Sequence, residues 1–495
     1  MGGTEMIHIV GLPRFHALGL LLTLTVIGLC VPMIAAGADT TADAVFGQPT
    51  LNDNNPNQPA GLPTVENLSL SNAAHVAVAP DGRVYVSDVD NHRVISWPDS
   101  HAFVSGAPAN MVFGQPDFVS NAPNAGGAVS AAGFFLPQGL CIDDGGNLWV
   151  ADAFNSRVLR FNNPASDGTP YVADLVIGQP DFASSDPNLG MGFSEVDVAS
   201  ADSLCFPGRV LVRGTDVWIA DSGNSRVLHY TNPTDNKPLA DRVLGQFGDF
   251  SCRVKNNDGT CSEKFGVAAT ADNLFNPIGL GLAPDGALYV ADWMNHRVLR
   301  FVDPLATDTT ADGVIGQPDF SDSAPDAGGV AQGLELPIDL FVDGVGSLFV
   351  ADSGNHRVLV FHSPDAATSA DEVFGQLGSF SSDAPNHGLS LPFTDADGLW
   401  GPTGVAVDAH CNVLVADTNN SRVLRFDSPI RACADMNCDE ALEFDDISAF
   451  VLAVLDRDGY QSLYPGCFVG GGDLNHDGRL DGRDVALFNA VLLDD

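Results

Sequence analysis

The stretch ADSGNSRVLHY, residues 220–230, occurs in five further variants along this chain of 495 residues. Each variant follows a short apolar run such as VWI or LYV, and the variants begin at Ser87, Ala151, Ala291, Ala351 and Ala416. A second phrase, seen as VIGQPDF from Val176, also occurs six times and alternates with the first. Repeats spaced by about 40–50 residues, here lengthened by insertions, are typical of propellers and solenoids. The chain is therefore an array of six units.

The fourth repeat shows what one unit is expected to build. Valine, leucine and aromatic residues alternate with polar ones in short runs separated by turn residues, which indicates strands. The predicted strands are Ile278–Leu282, Ala287–Ala291, Asn295–Phe301 and Gly313–Gly316. In the turn before the third strand we place Asn295 in a left-handed conformation, which asparagine tolerates. Four antiparallel strands in each of six repeats predict an all-β fold, a six-bladed β-propeller.

The repeated phrase P-x-G-[LV]…D…G-x-[LV]-[WYF]-V-A-D-x-x-N-x-R-V resembles the NHL repeat, from about Ala44 to Ile430. The resemblance implies a six-bladed β-propeller, in agreement with the strand count. The first GQP phrase precedes the first AD-x-x-N-x-R unit, and no GQP phrase follows the last such unit, which ends near Phe426. We therefore expect the N-terminal strand to complete the last blade, which removes two exposed sheet edges. The propeller is assigned to residues 39–430.

Every repeat carries an aspartate followed five residues later by an arginine. Six identical Asp/Arg catalytic pairs in one protein would be chemically extravagant, so we interpret the pairs as structural, closing the turn or linking neighbouring blades. The pairs are Asp88 with Arg93, Asp152 with Arg157, Asp221 with Arg226, Asp292 with Arg297, Asp352 with Arg357 and Asp417 with Arg422.

Positions at which the repeats differ are the better candidates for a specific site, since loops and strand ends on a rigid frame usually carry function. The residue that follows P-x before each innermost strand reads, in chain order, His75, Gly139, Arg209, Gly279, Asp339 and Gly404. Because innermost strands line the central channel, the three large polar residues are predicted to converge near one mouth, with Gln138 and Thr403 one position earlier. Such a ring could bind a small polar or anionic ligand, or its members could satisfy one another and ordered water.

Enzymatic activity is the alternative to binding. Some NHL propellers resemble enzymes, notably an amidating lyase that holds zinc through several channel histidines. Among the six residues that follow P-x before the innermost strands, His75 alone is a histidine, so three histidine ligands are not available at these positions. No G-x-S-x-G elbow and no glycine-rich phosphate loop is found in the sequence. A binding or scaffold protein that recognises a protein, a glycan or a small ligand is the leading interpretation. A propeller lyase or hydrolase, or a subunit of a polysaccharide-degrading assembly, remains the alternative.

The charge of the chain narrows the classes of partner. Asp and Glu total 63 against 22 Lys and Arg, a formal net charge of −41. Such a surface repels phosphate backbones and anionic lipids, so nucleic acid is excluded as a partner, whereas divalent cations are attracted. Of the nine cysteines, Cys252 and Cys261 are the easiest to join in a disulfide, and none forms a CxxC pair.

The N-terminus has the features of an export signal. Arg14 precedes an apolar stretch, 17–36, and small residues end at Ala38. This order predicts a secretory signal peptide over residues 1–38. A retained membrane anchor is the alternative, since the apolar run is nearly long enough to span a bilayer. We expect a secreted or cell-surface protein of bacterial type, without membrane insertion once the signal is removed.

The repeats stop after Ile430, and residues 431–495 form a separate module. Two twelve-residue segments there, each followed by an apolar stretch of helical spacing, fit the calcium loop, with oxygen ligands at positions 1, 3, 5, 9 and 12 and a backbone carbonyl at position 7. The ligands of the first loop are Asp435, Asn437, Asp439, Ala441, Glu443 and Asp446, and those of the second are Asp473, Asn475, Asp477, Arg479, Asp481 and Asp484.

The two loops lack entering helices and end in aspartate rather than glutamate, and the segment also contains Cys438 and Cys467. This combination resembles the dockerin type I repeat, which implies calcium as the cofactor and attachment to another protein. Dockerins choose partners largely through loop positions 10 and 11, which are Phe444-Asp445 and Gly482-Arg483 here rather than the usual small hydroxyl pairs. A cohesin-like partner is therefore possible but not specified.

Overall fold

The computed structural model describes most of the repeat region and part of the C-terminal segment. The described residues are 40–57, 70–167, 171–192, 198–262, 267–305, 309–344, 346–365, 369–390, 393–408, 410–427, 435–437, 444–464, 472, 474, 480, 482, 484–485, 488–489 and 492. The signal peptide predicted over residues 1–38 lies outside them and stays a prediction. Within these ranges, no helix combines the length and the apolar character needed to cross a bilayer.

Six four-stranded antiparallel sheets form the blades of a propeller. Blade one contains β2 (Ala73–Val78), β3 (Val84–Asp88), β4 (Arg93–Trp97) and β5 (Met111–Phe113). Blade two contains β6 (Pro137–Ile142), β7 (Leu148–Asp152), β8 (Arg157–Phe161) and β9 (Leu175–Ile177). Blade three contains β10 (Arg209–Arg213), β11 (Asp216–Asp221), β12 (Arg226–Thr231) and β13 (Arg242–Leu244).

The second half of the ring repeats this order. Blade four contains β14 (Pro277–Leu282), β15 (Leu288–Asp292), β16 (Arg297–Phe301) and β17 (Gly313–Ile315). Blade five contains β18 (Pro337–Val342), β19 (Leu348–Asp352), β20 (Arg357–Phe361) and β21 (Glu372–Phe374). Blade six contains β22 (Pro402–Val407), β23 (Val413–Asp417), β24 (Arg422–Phe426) and β1 (Ala44–Phe46). The six-bladed all-β fold predicted from the repeats is confirmed.

The N-terminal strand closes the ring. β1 pairs antiparallel with β24, with Ala44 opposite Arg425 and Phe46 opposite Val423. The Phe46 ring stacks on Phe103, at 3.6 Å between ring centroids, and meets Trp97 edge-on at 5.3 Å. The first and last blades are thereby joined through one buried apolar cluster, in which residues of both blades take part. This is the strand that the order of the two phrases assigned to the last blade.

The repeated Asp/Arg pair is the centre of a buried hydrogen-bond clamp, as its structural interpretation requires. In blade two, Arg157 Nε donates to Asp152 Oδ2 at 2.8 Å, and Asn155 Nδ2 donates to the same oxygen at 2.8 Å. Arg157 Nη1 donates to the carbonyl of Phe182 at 2.6 Å, and Nη2 donates to that of Gly133 at 3.0 Å. The equivalent ion pair is present in all six blades.

The second repeated phrase completes the clamp. Gln179 of the GQP phrase donates through Nε2 to the carbonyls of Ser156 and Asp186, both at 3.0 Å. These carbonyls belong to the hairpin turn and to the following loop, so the glutamine ties the two together. The two phrases alternate along the chain because one blade needs both of them.

One detail of the turn prediction is wrong. Residues Trp293–Asn295 form a single 3-10 turn, and the left-handed residue is His296, with φ 52°, rather than Asn295. The third strand therefore begins at Arg297, two residues later than predicted. Asn295 is held in the turn because its Nδ2 donates to Asp292 at 2.7 Å, which leaves the next residue to reverse the chain.

A four-residue helix, α1 (Pro164–Asp167), lies in the propeller. The C-terminal segment contains two consecutive helices, α2 (Asp446–Leu455) and α3 (Arg457–Leu463). α2 follows the first loop, where a helix is predicted, but α3 was not predicted. Phe450 and Tyr460 pack in one buried cluster with Cys411 of blade six. Most of the apolar stretch after the second loop lies outside the described residues. Cys252 and Cys261 form a disulfide, the pairing that their spacing favoured.

Candidate functional site

The three unlike residues of the inner strands meet in the channel. His75 on β2, Arg209 on β10 and Asp339 on β18 are 3%, 6% and 2% exposed, and we call these three residues the belt. His75 Nε2 lies 3.1 Å from Asp339 Oδ2, and Arg209 Nη1 lies 3.7 Å from Asp339 Oδ1. The structure thus brings together three side chains that are 264 residues apart at most, from alternate blades.

The glycines between the belt residues make the convergence possible. A methyl group on Gly139 would lie 2.8 Å from the Cα of Arg209, and one on Gly279 would lie 2.8 Å from the Cα of Asp339. A methyl group on Gly404 would lie 2.8 Å from the Cα of His75. Each large residue therefore needs a glycine on the preceding blade, which explains why the column alternates.

His75 is neutral and oriented by the backbone. Its Nδ1 accepts the Leu140 N–H at 3.4 Å, which places the ring proton on Nε2. Burial, and then the charge of Arg209, hold the pKa of His75 well below its ordinary value. Although Nε2 is close to Asp339, the contact is misaligned for a hydrogen bond, so this N–H has no hydrogen-bond partner among the described residues.

Arg209 is also incompletely paired. Its Nε and Nη1 are buried and have no hydrogen-bond partner within the described part of the chain. Asp339 is better satisfied, because Oδ2 accepts the Val405 N–H at 3.1 Å. Burial raises the pKa of Asp339, while Arg209 and the backbone donors oppose that rise. The belt therefore has more hydrogen-bond donors than acceptors. Each unpaired buried donor typically lowers the free energy of unfolding by about 1–3 kcal/mol.

Two cavities meet at the belt, and His75 and Arg209 line both of them. The larger, of about 490 Å³, follows the inner strands away from the belt. The smaller, of about 150 Å³, also contacts Asp339, Gln138 and Thr403. Thr403 Oγ1 donates to the carbonyl of Ala74 at 2.8 Å, which ties it to the neighbouring blade. All the channel residues proposed from the sequence therefore border the smaller cavity, and His75 and Arg209 also border the larger one.

We call the larger cavity the chamber, and its wall was not predicted from the sequence. Six residues of this wall each lie two positions after one of the six residues that follow P-x before the innermost strands. Because side chains on one face of a strand recur every second residue, this spacing would have identified them. They are Ala77, Cys141, Leu211, Gly281, Phe341 and Ala406. Arg457 on α3 and Leu480 of the second loop also border the chamber, and no repeat pattern marks either of them.

The calcium loops are described only in part. Asp446 and Asp484, at position 12 of each loop, are fully buried. Asp446 Oδ1 accepts the N–H groups of Met436 and Asn437 at 2.7 and 3.0 Å, so the end of the first loop closes onto its start. Asp435 and Asn437 are also described. The remaining predicted ligands lie outside the described residues, namely Asp439, Ala441, Glu443, Asp473, Asn475, Asp477, Arg479 and Asp481. Among described residues, no three His, Cys, Asp or Glu side chains form a metal-binding group.

Comparison with known proteins agrees with the architecture. The family model for the NHL repeat matches residues 70–95, 136–161 and 399–426, in blades one, two and six. Teneurin-3 of Danio rerio is 24% identical over 322 residues, which cover 61% of this chain. The match spans 11% of the length of teneurin-3.

Solved structures with related folds have low similarity. A streptogramin B lyase is 13% identical with a TM-score of 0.39, over 73% of this chain and 95% of that one. A gluconolactonase from Xanthomonas campestris, XC5397, is 14% identical with a TM-score of 0.41, over 78% and 99%. At these values neither structure bears on activity. The strand topology and the matched repeats together identify the chain as a six-bladed β-propeller that contains NHL repeats.

Proposed function

We propose that this protein is an exported binding protein whose channel seats a small anionic or acceptor-rich ligand at the belt. One observation carries the proposal: His75 Nε2 and Arg209 Nε and Nη1 are buried donors with no hydrogen-bond partner in the described part of the chain, and both residues line two cavities. A ligand with acceptor oxygens would satisfy these donors. Binding sites commonly combine such a cavity with a few convergent polar groups.

The alternative of a lyase or hydrolase has less support from this geometry. A general base must offer a lone pair to the substrate proton. The Nδ1 lone pair of His75 is directed at the Leu140 N–H, and its Nε2 carries the proton. Burial raises the pKa of Asp339, but Oδ2 of this carboxylate accepts the Val405 N–H and Oδ1 lies 3.7 Å from Arg209, so both oxygens already face donors of the protein.

The binding proposal is tested by thermal unfolding and calorimetry with simple anions. Formate, acetate and phosphate serve as probes, and acetate or formate is expected to raise the melting temperature of the wild-type chain. Arg209→Met should abolish that rise, whereas Arg160→Met, which removes a partly exposed arginine of blade two, should leave it unchanged. Absence of any shift with all three probes, or equal shifts in both variants, would contradict a ligand seat at the belt.

The C-terminal segment supplies the second half of the proposed function, namely calcium binding and attachment to a protein or glycan partner. The closure of the first loop by Asp446 is compatible with a calcium loop, since position 12 must reach the residues at its start. Asp435, Asn437 and Asp446 would provide oxygen ligands there. Bound calcium would neutralise carboxylates that otherwise repel one another, which couples metal binding to folding.

Calorimetry of the full chain, with calcium and with a chelator, tests this second half. We expect one unfolding transition that shifts to lower temperature on chelation and one, from the propeller, that does not. Asp446→Ala and Asp484→Ala should each weaken calcium binding in a direct titration, and Asp427→Ala, an exposed aspartate on the propeller, is the control. A chain that takes up no calcium and melts identically in chelator would refute the calcium assignment.

A further inference from the structure

The chamber beyond the belt differs chemically from the belt. Its first layer, two residues further along the inner strands, is Ala77, Cys141, Leu211, Gly281, Phe341 and Ala406, and none of these is charged. The next layer includes the apolar side chains Val78, Ile142, Leu282 and Val342. A ligand that extends from the belt into the chamber therefore leaves polar groups behind and meets apolar walls.

The charged groups of the chamber lie at its outer end. They are Asp144, Arg213, Asp343 and, from α3, Arg457. Arg213 is already used, because its two terminal nitrogens donate to the carbonyls of Ala283 and Leu282, both at 2.8 Å. Unpaired donors lie at the inner end of the chamber, whereas Arg213 at the outer end is already bonded to backbone carbonyls, and this difference gives the chamber a direction. An acceptor group is drawn to the belt, and the apolar part of a ligand occupies the space between.

The charge of the belt limits the acceptor group. Arg209 and Asp339 contribute opposite charges, and His75 is neutral. β6, β14 and β22 present Gly139, Gly279 and Gly404 to the belt. The other ionisable group that interacts with Arg209 here is the Cys141 thiol, whose pKa burial raises to about 11, so it adds no charge at neutral pH. The belt therefore has no net charge, so a monoanion leaves it with one negative charge in excess and a dianion leaves it with two beside Asp339, and the smaller excess is the less costly one in a buried site.

Building on the binding function proposed above, we propose that the ligand is an amphipathic monocarboxylate, with its carboxylate on Arg209 and His75 and its aliphatic part along the chamber. The volume of about 490 Å³ is within the range of small-molecule sites, about 300–1,000 Å³. A planar carboxylate accepts several N–H donors at once, which matches the surplus at the belt.

Titration calorimetry with acetate, butanoate and octanoate tests the proposal. Burial of each added methylene should tighten binding by about fourfold until the chamber is filled. Octanamide, which has the same chain without the negative charge, should bind more weakly than octanoate. Two belt variants should act in opposite directions. Arg209→Met should weaken octanoate binding and Asp339→Asn should tighten it, each by roughly tenfold to a hundredfold, because each changes one buried charge beside the carboxylate.

A chamber variant separates the two levels of the proposal. Leu211→Gln should remove most of the gain in affinity from acetate to octanoate, because a polar amide then replaces part of the apolar wall; its unfolding curve establishes that it folds. If acetate binds through Arg209 and octanoate binds no better, the binding function stands and the amphipathic ligand is wrong. If phosphate binds and no carboxylate does, the ligand class is wrong. If none of these anions binds, ordered water alone satisfies the belt, and both proposals fail.

Discussion

Two buried sets of aspartate and arginine occur in this propeller, and they differ in how completely they are paired. In the clamp of blade two, every nitrogen of the Arg157 guanidinium donates a hydrogen bond, and Asp152 accepts from Arg157, Asn155 and a backbone N–H. In the belt, two buried nitrogens of Arg209 have no hydrogen-bond partner among the residues that the structure describes, and Arg209 Nη1 lies 3.7 Å from Asp339 Oδ1. The clamp recurs in each blade, whereas the belt occurs once in the ring.

This difference distinguishes a structural charge from a binding charge. A buried ion pair is tolerated when further hydrogen bonds satisfy both partners, as in the clamp. The belt retains donors whose desolvation is not compensated by the protein, which is the pattern expected of groups reserved for a ligand. The clamp occurs in every blade and its hydrogen bonds are complete, which indicates that it supports the propeller fold. The belt occurs once and its hydrogen bonds are incomplete, and these two properties favour a functional role.

The largest expected effect is loss of the clamp. Arg157→Met should lower the free energy of unfolding by about 3–5 kcal/mol, because it removes the cation that pairs with the buried Asp152 carboxylate and the donor to three backbone carbonyls. Denaturant unfolding measures the change. Arg160→Met in the same blade, where the pair with Asp174 is partly exposed, should change stability by about 0.5 kcal/mol or less. Equal effects of the two substitutions would contradict the structural role of the clamp.

A smaller effect is expected from the glutamine that ties the clamp together. Gln179→Ala should cost about 1–3 kcal/mol, because the carbonyls of Ser156 and Asp186 would both lose their donor in a buried site. The same substitution in blade four, Gln317→Ala, should give a similar value, since its Nε2 bonds the equivalent carbonyls of His296 and Ala324 at 2.8 and 2.9 Å. A large loss in one blade and none in the other would show that the repeats are not energetically equivalent.

The belt should respond less than the clamp. Arg209→Met removes two unpaired donors, which favours the folded state, but it also takes the cation away from the buried Asp339 carboxylate. Because these two effects oppose each other, the free energy of unfolding should fall by no more than about 1–2 kcal/mol in the absence of ligand. The same substitution abolishes anion binding if the proposed function is correct. Destabilisation of Arg209→Met to the extent seen for Arg157→Met would place both arginines in the frame and remove the contrast between them.

The sequence predicts most of the propeller fold, because the pattern recognised in one blade recurs in the other five. The Asp/Arg pairs, the strands and the position of β1 follow from a pattern that occurs six times, so an error in one copy is corrected by the others. The conformation of the turn was misjudged at Asn295, since the phrase shows which residues recur and not which of them reverses the chain. Convergence of His75, Arg209 and Asp339 followed from their common column.

The sequence does not show which hydrogen bonds the three belt residues form with one another. The distances of 3.1 and 3.7 Å depend on how alternate blades are spaced across the channel, and a difference of less than 1 Å decides whether Arg209 is satisfied. The proximity of Arg457 and Leu480 to the chamber likewise depends on packing between segments that share no repeat. Local patterns describe contacts within a blade and do not determine those across the ring.

The smallest effect concerns the titration of His75. Burial and Arg209 hold its pKa well below the ordinary value of 6.5, so below pH 6.5 the unfolded chain takes up a proton that the folded protein does not. The free energy of unfolding therefore falls as pH is lowered from 7 to 5.5. In His75→Gln this contribution is absent, and its stability relative to the wild type should rise with falling pH, with a slope that approaches about 1.4 kcal/mol per pH unit.

His362 provides a control of opposite sign. Its pKa is raised, first by the hydrogen bond to Glu372, so its contribution to stability is present below pH 6.5 and is lost as pH rises through the folded-state pKa. His362→Gln should accordingly lose stability relative to the wild type as pH falls, by a smaller amount because the site is partly exposed. If unfolding curves between pH 5.5 and 7.5 show the same trend for both variants, His75 is not held neutral between Arg209 and Asp339. The belt would then have no uncharged donor to offer a carboxylate, and the distinction between a saturated clamp and a belt reserved for a ligand would rest on Arg209 alone.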